Sequence, residues 1–288
     1  TQLNPGVITI ELAHAGTGVV SKDPEITILQ LAPTIRLTVN VSNTFGRTLK
    51  ASIVIPLPTV SVVSSDAHAS EVGPDPATFT LMRTGSATTV LTVPYTLGGT
   101  AASGSDYTAP SGAVTFADGQ TTATVTITPV ADTLAEGDET VTLTVGSGSD
   151  YLAGSSATVT IHDKPFDAWR FEHFGHNPSL GDALLDPDFD GLSNLLEYAT
   201  GSDPTIPNEF DLRPASGGLF SLTYTESLLA TDVTWSVEAS TDLVSWALVT
   251  VTRTILSTTS TNQLVLVRET SPSGGHARFF RLRLSLQP

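Results

Sequence analysis

The chain is 288 residues long, 40% hydrophobic and only 15% charged, with 23 glycines and 18 prolines scattered without a period, a composition that fits two or three folded, turn-rich domains and excludes collagen-like or low-complexity architecture. Acidic residues outnumber basic ones 29 to 13, a net charge of −16, which excludes the basic patches that nucleic-acid binding requires and disfavours contact with anionic lipid. With no cysteine, disulfides, zinc–thiolate sites and cysteine nucleophiles are ruled out, and no apolar run approaches the roughly 20 residues of a membrane-spanning helix.

Residues 1–57 carry strand-like stretches at Val7–Leu12, Thr34–Val41 and Leu49–Ile55, with a turn signal at Asn43-Thr44-Phe45-Gly46. They read as a β module, truncated at Thr1, and the start at Thr1 without a signal-peptide pattern fits a processed or excised piece of something longer. From 58 to 165 the period-two alternation of a strand with one buried face is clear. Thr alternates with Val, Ile, Leu or Ala in Thr121–Thr128, Thr140–Val145 and Ser156–Ile161, and further strands are expected at Pro58–Val63, Ala77–Arg83, Thr89–Tyr95 and Gly112–Phe116. About seven such strands punctuated by Gly and Asp predict an antiparallel sandwich. Residues 166–208 change character: short helices are expected at Phe166–Phe174 and Ser193–Ala199, an acidic loop lies between them, and Gly201 and Pro204 act as stop signals. Residues 209–288 return to strands at Leu219–Thr225, Val233–Ala239, Trp246–Val251, Gln263–Arg268 and Ala277–Leu286, a second, smaller sandwich. The expected fold class is therefore mainly β, with tandem antiparallel β-sandwiches and a short helical linker.

The acids are not evenly spread. They crowd into 132–139 and 182–190, and crowded carboxylates repel one another unless a cation neutralises them. In the middle domain, Gly99-Thr100-Ala101, Gly104-Ser105-Asp106-Tyr107, Gly112-Ala113-Val114-Thr115-Phe116 with Gly119, Asp132-Thr133-Leu134-Ala135-Glu136-Gly137-Asp138-Glu139-Thr140 and the closing Ile161-His162-Asp163 fall in one order. Over about 105 residues this resembles the Calx-beta family. The resemblance implies calcium at one end of the sandwich, with Glu71, Asp106, Asp132, Glu136, Glu139 and Asp163 as ligands and the Leu134 carbonyl beside them. Several carboxylates gathered from loops match Ca²⁺, which takes 6–8 oxygen ligands. The pattern departs from the family at Ala131-Asp132, where many members have two aspartates, and at Asp163-Lys164-Pro165, where they continue acidic. Fewer carboxylates and an adjacent ammonium predict one or two ions there, against the alternative of merely solvated acids.

Asp186-Pro187-Asp188-Phe189-Asp190-Gly191-Leu192-Ser193-Asn194-Leu195-Leu196-Glu197 satisfies every specified position of the EF-hand loop pattern. Asp186, Asp188 and Asp190 supply side-chain oxygens and Gly191 the sharp turn. Leu192 offers its carbonyl, Asn194 contributes directly or through water, and Glu197 reaches back from the following helix. The alternative is an acidic loop favoured at a helix N-terminus. The wider stretch from Trp169 to Pro204 resembles a linker of large secreted bacterial proteins and is similar to dockerin and thrombospondin type 3 calcium loops; a single copy argues against cohesin docking.

In the last module, Trp235–Trp246 and Ala277–Leu282 resemble a fibronectin type III-like domain. Trp235 and Trp246 fit either a sugar-stacking platform or the sandwich core, and Arg278, Arg281 and Arg283 alternate with Phe280, Leu282 and Leu284 as the wet face of the final strand. No G-x-S-x-G elbow, H-E-x-x-H helix, P-loop or Rossmann glycine pattern occurs, and the six histidines are scattered, so no enzyme is expected. Together these features predict a calcium-binding structural or adhesive module of a secreted or cell-surface bacterial protein, with calcium rigidifying loops and joints. Its partners would be calcium and other surface proteins, polysaccharide or copies of itself. Two alternatives stay open: a carbohydrate-binding accessory region of a larger secreted hydrolase, and a subunit of an extracellular filament.

Overall fold

The computed structural model describes residues 25–31, 34–42, 48–73, 75–210, 213–214, 220–270 and 278–287, with side chains from Pro56 onward except at 178 and 213–214. The expected strand at Val7–Leu12 and the turn at Asn43–Gly46 lie outside the described residues. Near the N-terminus β1 (Glu25–Leu31), β2 (Thr34–Ser42) and β3 (Thr48–Pro56) form an antiparallel three-stranded sheet. β1 was not anticipated, although EITILQL alternates along most of its length.

Two compact units are present. The first draws on residues up to Ala69, Pro76–Val130 and Thr140–Ile161; the second on Ser70–Asp75, Ala131–Glu139 and His162 onward. All seven strands expected between 58 and 165 form, as β4 (Thr59–Asp66), β6 (Ala77–Thr84), β7 (Leu91–Gly99), β8 (Ala113–Phe116), β9 (Thr122–Ile127), β10 (Glu139–Val145) and β12 (Ser156–His162). Two short strands, β5 (His68–Ser70) and β11 (Leu152–Ala153), add to them. The sheets run β5-β12-β10-β7-β8 and β11-β4-β6-β9. β11 pairs in parallel with β4, Leu152 and Ala153 lying beside Thr59 and Val60, and the bonds Thr160 N–H to Ala67 O and Glu71 N–H to His162 O have the parallel pattern too; both are short edge contacts that carry no periodic signal. The alternating residues point inward as expected. Phe79 and Leu81 of β6, Ile127 of β9 and Val141 and Leu143 of β10 are all fully buried, and burying a large apolar side chain contributes about 1.5–3 kcal/mol. The threonines between them face water, which is why the strands look half polar in sequence.

In the second unit, α1 (Pro165–Phe174) begins with Pro165 at its first turn, where the missing N–H would be unpaired in any case. A short turn of helix, α2 (Pro178–Gly181), was not anticipated. α3 (Asn194–Thr200) ends at Gly201, whose φ of 76° suits a left-handed cap and whose N–H donates to the Glu197 and Tyr198 carbonyls. Phe166 and Tyr198 pack with Ala230, Trp169, Leu195 and Val233, joining both helices to the strands that follow.

Those strands are β13 (Arg213–Pro214), β14 (Ser221–Ser227), β15 (Val233–Ser240), β16 (Ala247–Leu248), β17 (Val251–Thr258), β18 (Asn262–Glu269) and β19 (Phe279–Leu286). They form sheets β13-β14-β18-β17 and β16-β15-β19 around Leu222, Tyr224, Val237, Val265 and Val267. The single strand expected at Trp246–Val251 is instead split: β16 pairs with β15 and β17 with β18. One apolar run therefore serves two sheets, a division that periodicity does not show. Trp235 packs partly against this core, its ring tilted 32° to that of Tyr224 with centroids 4.6 Å apart. Trp246 is half-buried under Arg281, so the two tryptophans form no exposed coplanar strip.

Candidate functional site

The loop from Asp186 to Asn194 is closed at its base by two backbone bonds, Asn194 N–H to Leu185 O at 2.8 Å and Leu195 N–H to Ala183 O at 3.0 Å. Inside it the aspartates organise the backbone. Asp186 accepts from the N–H groups of Asp190 (3.2 Å) and Gly191 (2.9 Å), and Asp190 from those of Leu192 (2.8 Å) and Asn208 (2.6 Å). The chain turns by taking left-handed φ at Phe189 (64°) and Gly191 (91°). At Gly191 this needs no side chain to be accommodated; at Phe189 it is strained for a bulky residue. Asp186, Asp188 and Asp190 each bring one carboxylate oxygen to within 4.8 Å of the others, a group that could hold a metal ion.

Glu197 comes to the same loop from α3. It is 0% exposed, its Oε1 accepts from Asn208 Nδ2 at 3.5 Å, and its Oε2 has no partner, nor has Asp188 Oδ2. Burial, then the neighbouring Asp188, Asp190, Asp186 and Asp203, pushes the Glu197 carboxyl from 4.5 to about 8. Asp188 is likewise raised, by desolvation and by its aspartate neighbours. An unpartnered buried carboxylate oxygen beside three further carboxylates is costly unless a proton or a cation occupies the space. The donor set is all oxygen, which suits a hard cation such as Ca²⁺.

Leu192 is half-buried at the seventh loop position, its N–H engaged by Asp190. Asn194 is buried, and its Nδ2 donates to the Leu180 and Asp182 carbonyls at 2.7 Å each, fastening the preceding turn; its Oδ1 has no partner. Sequence reasoning did not anticipate Asn208. It lies 11 residues beyond Glu197 and reaches both that carboxylate and Asp190, and no local motif marks it.

Of the residues expected at the end of the first sandwich, Glu71, Asp132, Glu136, Glu139 and Asp163 belong to the second unit and Asp106 to the first. Glu71 is buried and accepts from Asp132 N–H at 3.4 Å. Desolvation, with Asp132 and Asp163 nearby, raises its carboxyl to about 7 against the lowering effects of that hydrogen bond and Lys164. Asp163 accepts from the N–H groups of Glu136 (3.0 Å) and Gly137 (2.8 Å), and burial outweighs these bonds to raise its pKa. Asp132 accepts from Leu134 N–H at 2.7 Å, and Leu134 itself is exposed. Glu136 and Glu139 are half-buried. Asp106 is buried and accepts from Ala102 N–H at 2.6 Å. The ammonium of Lys164 is committed to the Asp132 carbonyl at 2.8 Å, and Arg170 donates to the Thr133 carbonyl at 2.7 Å. Both cations therefore clamp the acidic loop by its backbone.

Acidic loops at a β-sandwich with an all-oxygen donor set are of the kind that suits Ca²⁺. Residues 57–165 match the Calx-beta domain family, a calcium-binding β-sandwich module that is not itself catalytic. A stretch of 52 residues, 18% of the chain, is 54% identical to the xanthan lyase of Bacillus sp. (strain GL1); the match covers 6% of that protein's length. Among solved structures, the apo-form Calx CBD1 domain is 24% identical and aligns over 38% of this chain and 98% of its own, with a TM-score of 0.33. CBD12 from CALX1.2 is 15% identical over 79% of this chain and 82% of its own, with a TM-score of 0.34. Among the described residues no helix is long and apolar enough to cross a membrane.

Proposed function

We propose that the chain is a calcium-binding structural or adhesive module of a secreted or cell-surface bacterial protein, in which calcium rigidifies loops and interdomain joints, and that it is not an enzyme. The carrying observation is Glu197: fully buried, with an unpartnered oxygen, beside Asp186, Asp188 and Asp190. In this reading Asp186, Asp188, Asp190, the Leu192 carbonyl, Asn194 and Glu197 hold one ion in an EF-hand-like loop. Glu71, Asp106, Asp132, Glu136, Glu139, Asp163 and the Leu134 carbonyl serve the Calx-beta-like site. The domains are 1–57, the sandwich 58–165, the linker 166–208 and a fibronectin type III-like sandwich 209–288. The linker loop would stiffen the chain because α3, which carries Glu197, also carries Tyr198. The Tyr198 hydroxyl donates to Asp232 at 2.5 Å, and Asp232 accepts from Phe166 N–H at 3.1 Å.

The test is thermal unfolding and titration calorimetry of the whole chain in Ca²⁺ and in EGTA, with an Asp188→Ala/Asp190→Ala variant. Calcium at 100 times its Kd should stabilise the native state by about 2.7 kcal/mol, and the variant should lose the part due to the linker. Absence of binding and of any calcium-dependent change in Tm would overturn the proposal. The xanthan lyase match supports a second reading, in which the chain is an accessory region of a larger secreted enzyme.

A further inference from the structure

The outer face of sheet β16-β15-β19 concentrates positive charge on a chain whose net charge is −16. Along β19, Phe280, Leu282 and Leu284 are half-buried, whereas Phe279, Arg281 and Arg283 are exposed. Register places Arg281 opposite Glu238 and Arg283 opposite Ser236. Both guanidinium groups converge on the one carboxylate. Arg281 donates to Glu238 Oε2 through Nε at 2.7 Å and Nη2 at 2.6 Å, and Arg283 to Oε1 through Nη1 at 3.1 Å. The Glu238 side chain is only 6% exposed beneath them, while those of Arg281 and Arg283 remain 46% and 61% exposed. Arg281 also lies over the Trp246 ring, its Cζ 4.2 Å from the centroid.

Two guanidinium groups sharing one carboxylate leave an excess positive charge. The carboxylate beneath and the indole plane hold the pair in place, so less side-chain freedom is lost when an anion binds. Arginines two apart on a strand recur about every 7 Å along an open sheet face, which fits an extended chain of repeated carboxylates better than a compact ligand. Phe279, the next outward position on β19, is exposed and offers the apolar contact that sugar ring faces take.

We propose that this face binds a carboxylate-bearing polysaccharide, with Arg281 and Arg283 as the carboxylate contacts. The proposal is independent of the calcium reading. Calorimetry of the intact protein with oligogalacturonides in calcium-free buffer tests it, alongside a neutral dextran oligosaccharide and polyglutamate. Uronate should bind, dextran should not, and polyglutamate should bind more weakly. An Arg281→Gln/Arg283→Gln variant should lose about tenfold or more in affinity, with its near-UV circular dichroism unchanged. If that variant does not fold, Arg283→Gln alone, at the more exposed position, carries the same expectation in smaller measure. No uronate binding, binding unchanged in the variant, or equal binding of polyglutamate would each overturn it, the last by showing that the face reads charge and not sugar.

Discussion

Replacing Glu197 by Gln should stabilise the metal-free protein and weaken its response to calcium, a change of sign that few buried substitutions show. The native carboxyl titrates near 8 and an unfolded one near 4.5. Because the folded-state value is the higher, the native state binds the extra proton. The stability this confers is complete below about pH 4.5 and is lost as pH rises through about 8. At about pH 7.5 the unfolded chain has already released its proton and the folded one has not. The native state then carries a penalty of up to about 4 kcal/mol, at about 1.4 kcal/mol for each pH unit of displacement. Gln keeps the shape without the titration. In EGTA at that pH, Glu197→Gln should therefore raise stability by about 2–4 kcal/mol and near pH 4 change it little. In saturating Ca²⁺ the wild type should be the more stable, because a neutral amide cannot reproduce a bidentate carboxylate. Differential scanning calorimetry at the two pH values, with and without calcium, reads all four cases; about 4 °C in Tm accompanies each kcal/mol. A variant less stable than wild type in EGTA at both pH values would refute the reasoning, since it would mean that Glu197 is held by favourable contacts and not by a missing cation or proton.

Asp232→Ala removes the acceptor shared by Tyr198 Oη and Phe166 N–H; leaving the Phe166 N–H unpaired and Tyr198 with only its 3.4 Å contact to the Leu229 carbonyl should cost about 1–3 kcal/mol, read as a lower denaturation midpoint of the second unit. Leu143→Ala empties a fully buried site in the first sandwich and should cost about 2–5 kcal/mol, with the calcium response at the linker loop unchanged by calorimetry. Gly201→Ala combines a φ of 76° with a Cβ placed 2.7 Å from Asn262 Oδ1; it should destabilise by at least about 1 kcal/mol, whereas Gly104→Ala, also at positive φ but with open space around its Cβ, should cost less.

The strands of the first sandwich were legible because each carries its inward residues at strict period two, as Ala77, Phe79 and Leu81 do in β6. The acidic loop was legible because its ligand-type residues are contiguous from Asp186 to Glu197 and the spacing itself dictates the turn at Gly191. Contiguity is also the limit of sequence reasoning. β16 and β17 lie in one apolar run but pair with different strands, and local pattern does not encode a partner. Asn208 approaches Glu197 only because the chain turns back after Gly201 and Pro204. Lys164 acts on the acidic cluster by its charge, and it also holds the Asp132 carbonyl, a contact that the sequence does not mark. Sequence alone determined the strongly alternating strands of the first sandwich and where carboxylates crowd, since these are properties of neighbours along the chain. Only the tertiary structure decided that Glu197 is buried with one carboxylate oxygen unpartnered, and that Arg281 and Arg283 share Glu238, because burial and pairing are set by residues that are not neighbours along the chain.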